Sequence, residues 1–165
     1  MRSVVAIYVE NNFGVLTRVA GLFMRKGFNI DTLSVGETED PRYSRITVTF
    51  DGDDYGRGFL IKQLGKLHEV KQIKLMKTDN NIEREHMLVK VRNTPESRAE
   101  LKTAADLYHA SIVDFNPDVI CVEVSGEPSI MEQFLDMIKP FGIVEMCRSG
   151  IICIDCAGNL FDAAE

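Results

Sequence analysis

The stretch Asn11-Asn12-Phe13-Gly14 joins an apolar, β-branched run at residues 3–9 (SVVAIYV) to a segment with helical periodicity. A junction of this kind can bind small ions. A helix start exposes backbone N–H groups that lack intrahelical acceptors, together with the positive end of the helix dipole, so it can receive a carboxylate. Gly14 allows a positive φ and a close approach of ligand to backbone. The Asn11 side-chain oxygen can accept from an ammonium group while its NH₂ donates elsewhere. A free amino acid presents that pair of charges and leaves its side chain to be buried. The same residues also suit a plain strand-to-helix turn, with an Asn as N-cap and Gly14 relieving the backbone. The loop alone does not choose between these readings.

Other arrangements that do chemistry are missing or incomplete. Cys153-Ile154-Asp155-Cys156 is a C-x-x-C, with Cys121 and Cys147 upstream. A zinc site needs two such pairs or added histidines at ligand spacing, and His68, His86 and His109 are scattered. Cys153 falls in an apolar alternating run and reads as a small buried hydrophobe. Gly56-Arg57-Gly58 is neither a dinucleotide loop nor a P-loop. No G-x-S-x-G occurs, and Asp31, Asp53-Asp54 and Asp114 form no evident acid–base pair. The chain is expected to be non-catalytic, with no metal and no cofactor of its own.

Composition bounds the rest. A chain of 165 residues with 45% hydrophobic and 27% charged residues has the make-up of one ordinary domain or two compact ones. The net charge of −6 argues against a sequence-independent nucleic-acid surface, which needs a basic stripe. No run of about 18 apolar residues is present, so no membrane helix is expected. Residues 1–4 lead straight into a strand-like run without a signal-peptide pattern, and the expectation is a cytoplasmic protein with reduced thiols.

The periodicities place the loop. Residues 3–9 suit a buried strand. From Val15, the positions Leu16, Val19, Ala20, Leu22 and Phe23 follow helical spacing. Residues 28–38 read as a strand, Asp40-Pro41-Arg42-Tyr43 as a hairpin connection, and residues 44–50 (SRITVTF) alternate with period two. Leu60, Leu64 and Leu67 mark a second helix, and residues 70–76 a fourth strand. Asp79-Asn80-Asn81 is a polar turn cluster that suggests a boundary. The order β-α-β-β-α-β then recurs. Residues 87–91 form a strand and Leu101, Ala104, Ala105 and Tyr108 a helical face. Strands at 112–115 and 119–124 flank Asn116-Pro117-Asp118. A helix carries Ile130, Phe134, Leu135 and Ile138 and ends near Pro140, before strand material at 143–146 and 151–154. The expected fold is α+β: tandem ferredoxin-like βαββαβ domains, each an antiparallel sheet with helices on one face. The expected boundaries are 1–78, a linker at 79–83, and 84–165.

Across the whole chain the residues resemble a known family. Glu10-Asn11-Asn12-Phe13-Gly14-Val15-Leu16-Thr17-Arg18-Val19 is similar to its EN-x-x-G-x-L-[ST]-R opening. Gly21-Leu22-Phe23 with Arg25-Lys26-Gly27-Phe28-Asn29-Ile30 resembles GLF-x-x-[RK]-G-[FY]-NI. Thr32-Leu33-Ser34-Val35-Gly36 continues the match, and Asp40-Pro41 with Ser44-Arg45-Ile46-Thr47 resembles its DP-x-x-SR-[ILM]-T hairpin. Gln63-Leu64, Lys66-Leu67, Val70, Glu83-Arg84-Glu85 and Met87-Leu88-Val89-Lys90 follow in order, as do Ile112-Val113-Asp114 and Arg148-Ser149-Gly150-Ile151.

The family is the acetolactate synthase small subunit, whose N-terminal half is an ACT domain. The resemblance implies a regulatory chain that forms a homodimer by edge-to-edge pairing of ACT domains. It implies a branched-chain amino acid, valine in this family, at the dimer interface. That ligand would lie between Asn11, Asn12, Phe13, Gly14, Val15 and Leu16 of one chain and Asn29 and Ile30 of the other. It further implies a separate large catalytic subunit, on which thiamine diphosphate, Mg and FAD would reside. Asn12 and Phe13 occupy variable positions of the family loop, and a bulky Phe13 would narrow the pocket. The competing reading from another class is an RNA-binding βαββαβ domain, which stacks bases on aromatics of its first and third strands. Here those strands offer only Tyr8 and Phe50, and the charge is acidic.

Overall fold

A computed structural model describes residues 2–76 and 80–157. Asp79 of the expected linker, residues 77–78 of the expected first domain and 158–165 of the expected second lie outside the described residues. The chain divides into two compact units, Met1–Ile82 together with Ile151–Glu165, and Glu83–Gly150.

Unit 1 holds β1 (Arg2–Glu10), α1 (Val15–Arg25), β2 (Ile30–Glu37), β3 (Tyr43–Asp51), α2 (Asp54–Leu64) and β4 (Val70–Met76). Its antiparallel sheet has the order β2-β3-β1-β4, with β2 at one edge. Every second residue of β1 faces the helices. Val5, Ile7 and Val9 pack with Ile46, Val48 and Phe50 of β3 against Val15, Val19, Leu22 and Phe23 of α1 and Leu60 and Leu64 of α2. Phe50 takes Phe23 and Phe28 edge-on, at centroid distances of 5.4 and 5.5 Å. α2 starts at the N-cap Asp53, whose carboxylate accepts from the Gly56 N–H at 2.7 Å. A Cβ on Gly56 would sit 2.8 Å from that carboxylate and 3.0 Å from the Phe28 ring, which accounts for a glycine inside the helix.

The alternate residues of β1, Val4 and Ala6, face the other way and are also buried. They pack with Met76, Ile151 and Cys153 in a separate apolar cluster. Strand β9 (Ile152–Asp155) supplies that cover. The Arg45 Nη2 donates to the Cys153 carbonyl at 2.6 Å, Lys74 pairs with Asp155 at 2.8 Å, and the Cys156 N–H donates to the Asn80 carbonyl at 3.1 Å. Both faces of β1 are thus covered, which explains its unbroken apolar run where an antiparallel strand open on one side would alternate. The sequence places residues 151–165 in the second domain. In the structure the described part of that segment lies with unit 1, because Ile151 and Cys153 complete its cluster.

Unit 2 repeats the plan with β5 (Asn81–Arg92), α3 (Arg98–Leu107), β6 (Ser111–Phe115), β7 (Val119–Gly126), α4 (Pro128–Ile138) and β8 (Ile143–Arg148), in the order β6-β7-β5-β8. Residues 81–83, expected as linker, form the start of β5. Met87, Val89, Val91, Ile120, Val122 and Val124 meet Leu101, Ala104, Met131, Phe134 and Ile138. The Arg148-Ser149 pair is a clasp on β5. Arg148 grips the buried Glu85 through Nε at 2.8 Å and Nη2 at 2.6 Å, and reaches Glu132 through Nη1 at 2.7 Å. The Ser149 Oγ accepts from the His86 N–H at 3.0 Å, and the Ser149 N–H donates back to the His86 carbonyl at 2.9 Å. The carboxylates hold the Arg148 guanidinium firmly protonated, with Glu85 the larger influence. The two βαββαβ units are the tandem ferredoxin-like architecture read from the sequence.

Candidate functional site

The loop between β1 and α1 is positioned by the β2–β3 hairpin. The Asn11 backbone N–H donates to the Arg42 carbonyl at 2.7 Å. Its side-chain Nδ2 donates to the Pro41 carbonyl and to Glu37 Oε1, both at 3.0 Å. The hairpin is braced in turn. The Arg42 guanidinium and backbone N–H bind the Asp40 carboxylate at 2.5–3.0 Å, and Tyr43 stacks on Tyr8 at 5.0 Å. The hydrogen bonds from the Arg42 side chain hold the Asp40 carboxyl below its ordinary range. Asn12 donates to Glu10 Oε2 at 2.9 Å, and Glu10 pairs with Lys71 at 2.5 Å. With its NH₂ occupied by protein acceptors, Asn11 keeps only Oδ1 to offer, which makes it an acceptor for an ammonium group.

No side chain caps α1. Its N-cap is Gly14, at φ 83° and ψ −5°, so the reading of an Asn as N-cap does not hold. A Cβ built there would meet nothing within 4 Å. The Gly14 carbonyl accepts from the Arg18 N–H at 3.1 Å and the Asn12 carbonyl from the Val15 N–H at 3.3 Å. Among the described residues the Leu16 and Thr17 N–H groups have no acceptor of these kinds, as at any helix start without a cap. The result is a helix opening with free donors, no side chain across it, and space above Gly14.

The expected site residues fall into three groups. Asn11, Asn12, Gly14 and Leu16 share this opening. Phe13 projects fully into solvent and Leu16 stays 40% exposed. Val15 is only 4% exposed, because it begins the buried stripe of α1 that continues through Val19, Leu22 and Phe23. It contributes backbone and no side-chain surface. Asn29 and Ile30 lie elsewhere. Asn29 precedes the first residue of β2 and donates to Asp31 Oδ1 at 3.3 Å, and Ile30 packs partly against the core. Asn11 is tied to Glu37, the last residue of β2. Eight residue steps of extended chain separate Asn29 from Glu37, a span on the order of 25 Å. One chain therefore does not bring Asn11 and Asn29 together around a single amino acid.

Among the described residues strand β2 pairs with β3 alone. Leu33 and Val35 stand opposite the buried Val48 and Ile46, so they point to the helix-bearing face, yet they remain 36% and 44% exposed at the sheet edge. The sequence reading missed Glu37 and the Pro41 and Arg42 carbonyls as the groups that fix Asn11. The D-P hairpin motif was a signal for the second pair; nothing marked Glu37. The C-x-x-C pair is divided, with Cys153 buried and Cys156 half-buried. Among the described residues no helix is long and apolar enough to cross a membrane.

Comparison with known proteins adds independent findings. Residues 5–72 match the family model described as AHAS small subunit-like ACT domain, and 84–156 the one described as small subunit of acetolactate synthase. The chain is 40% identical over 154 residues to the probable acetolactate synthase small subunit of Archaeoglobus fulgidus, covering 93% of this chain and 96% of that one. It is 37% identical over 149 residues to the acetolactate synthase small subunit of Mycolicibacterium smegmatis, covering 90% and 88%. The crystal structure of the small subunit from Thermotoga maritima superposes with a TM-score of 0.88 at 32% identity, over 94% of this chain and 98% of that one.

Proposed function

Because the chain belongs to the acetolactate synthase small-subunit family, we propose that it binds a branched-chain amino acid, valine first among them, at a homodimer interface and thereby sets the activity of a separate catalytic subunit. As a small subunit it is a regulatory chain that works beside a catalytic large one. Thiamine diphosphate, Mg and FAD belong to that large subunit, which carries out the carbon–carbon bond formation. The present chain supplies activation and feedback inhibition.

The observation that carries this reading is the position of Asn29 just before the first residue of the edge strand β2 and of Asn11 bonded to its last, Glu37. Antiparallel pairing of β2 with its symmetry mate sets the start of one strand beside the end of the other. The Asn29–Ile30 segment of one copy then meets the Asn11–Glu37 corner of its mate, and each dimer gains two equivalent sites. In such a site the α1 opening receives the ligand carboxylate. Asn11 Oδ1 accepts from its ammonium group. Leu16, with the edge residues Leu33 and Val35, offers apolar surface, and burial of a valine side chain is worth about 2 kcal/mol.

A ligand shifts a conformational equilibrium only by its difference in affinity for the two states. A site shared by two chains meets that condition, since it is complete in only one arrangement of the dimer. Coupling of about 1–3 kcal/mol gives strong feedback, and by reciprocity the catalytic subunit must alter valine affinity. Titration calorimetry with valine, leucine and isoleucine, with and without the catalytic subunit, tests the proposal. Saturable valine binding at one site per chain, shifted by the catalytic subunit, is expected. Absence of binding to either form would overturn it.

A further inference from the structure

The helical layer of unit 1 has a second feature, which takes no part in the amino-acid site. On α2, Tyr55, Phe59 and Lys62 follow i, i+4, i+7 spacing and point away from the buried Leu60 and Leu64. At the C-terminal end of α1, Met24, Arg25 and Lys26 are exposed, and the Lys26 Nζ lies 5.1 Å from the centroid of the Phe59 ring on α2. Met24 is 75% exposed and Tyr55 83%, much more than the rest of the layer's apolar residues. Lys66 follows, exposed, in the turn after α2.

The charges on this face are unbalanced. Residues 15–26 hold three cations and no acid, in a chain whose net charge is −6. Two neighbouring cations are neutralised, Arg18 by Glu69 and Arg57 by Asp54. Arg25, Lys26, Lys62 and Lys66 have no carboxylate partner among the described residues. Four cations without a carboxylate partner among the described residues share these two helices and the turns after them with three exposed apolar or aromatic side chains, a combination that gains by being covered. Its complement is a segment bearing carboxylates around an apolar side chain.

We propose that this outer face of α1 and α2, centred on Met24, Tyr55 and Phe59 and rimmed by Arg25, Lys26, Lys62 and Lys66, docks an acidic segment of the catalytic subunit. The inference rests on the reading of the chain as a regulatory subunit and adds the surface through which it acts. A protein occupant is favoured over a nucleic acid, because the cations ring apolar side chains instead of forming a stripe. The location also suits the function. α1 begins at the Gly14 opening and ends at this face, so one rigid helix about 16 Å long spans the distance from amino-acid site to partner.

The test uses the full chain and the purified catalytic subunit. Two double variants are compared with the parent, Arg25→Glu with Lys62→Glu, and Met24→Ser with Tyr55→Ser. Affinity is measured at low and high salt, with valine calorimetry as the check on fold and site. We expect the charge variant to bind at least about tenfold more weakly and to lose most of its salt dependence. The apolar variant should weaken by a similar factor with its salt dependence intact, and both should bind valine normally. Parental affinity and salt response in both variants would overturn the surface alone. Failure of the parent chain to bind the catalytic subunit would overturn the regulatory reading along with it. Single-stranded RNA captured by the parent and lost by the charge variant, with catalytic-subunit binding unchanged, would also overturn the assignment.

Discussion

Asn11 Nδ2 donates to Glu37 Oε1 at 3.0 Å, across 26 positions of sequence, and so ties the loop ahead of α1 to the last residue of the edge strand β2. The contact joins the two elements that the proposed site needs. In the proposed dimer, a displacement of β2 would reach Asn11 through this bond.

Removing that tie should loosen the site without dismantling it, because the Pro41 and Arg42 carbonyls still hold Asn11. Glu37→Ala is expected to weaken valine binding about 3- to 10-fold, the effect of one exposed hydrogen bond to a charged acceptor. Glu37→Gln retains the acceptor and should recover most of the affinity. Calorimetry on the two variants checks this, and equal loss in both would mean that charge, and not positioning, is what matters.

Gly14 stands at φ 83° with nothing within 4 Å of a built Cβ. Gly14→Ala should therefore cost only the backbone strain of a left-handed residue, about 1 kcal/mol of stability in urea unfolding. Gly14→Asp places a carboxylate where the ligand's own would lie. Like charges in contact cost several kcal/mol, so binding should fall more than about 100-fold while the dimer persists by sedimentation. Normal valine affinity in Gly14→Asp would move the site elsewhere.

In unit 2, Glu85 is buried and both its oxygens accept from Arg148. Arg148→Ala leaves that charge uncompensated and should destabilise by about 3 kcal/mol in urea unfolding. Replacing the pair together, Arg148→Met with Glu85→Leu, should recover much of the loss, because an apolar pair of similar volume needs no desolvation of charge. Failure of the double variant to recover would show that the clasp also secures the Ser149–His86 contacts.

The cover on the far face of the first sheet can be removed in the same way. Ile151 is fully buried among Val4, Ala6, Met76 and Cys153. Ile151→Ala should cost about 2–5 kcal/mol. Cys153→Ala should cost less, in keeping with a thiol that acts as a small apolar filler, and should leave activation of the catalytic subunit unchanged.

Much of this was legible locally. Residues 70–76 read as a strand and are one, because alternation needs no partner to be recognised. The unbroken SVVAIYV run reads as a buried strand, but the cover of its second face comes from Ile151 and Cys153, and no local pattern links positions so far apart. Asn81 looked like part of a turn because Asn is a good turn former, yet it opens β5. The helical period that Val15 begins sends its side chain into the core. From spacing alone the proposed site is legible only as two fragments, residues 11–16 and 29–30, and it is the family resemblance that joins them across two chains. Joining them requires knowing that β2 is an edge and that its two ends are a strand-length apart.

In the proposed mechanism valine controls the catalytic subunit from a site shared by two chains, with Asn29 of one copy completing the Asn11 corner of the other. The most direct measurement is the activity of the catalytic subunit reconstituted with Asn29→Ala across a valine titration, alongside valine binding to the same variant. A complex that assembles and is fully activated, binds valine weakly, and is no longer inhibited by it is expected. A variant that binds valine normally but fails to activate the catalytic subunit would contradict it.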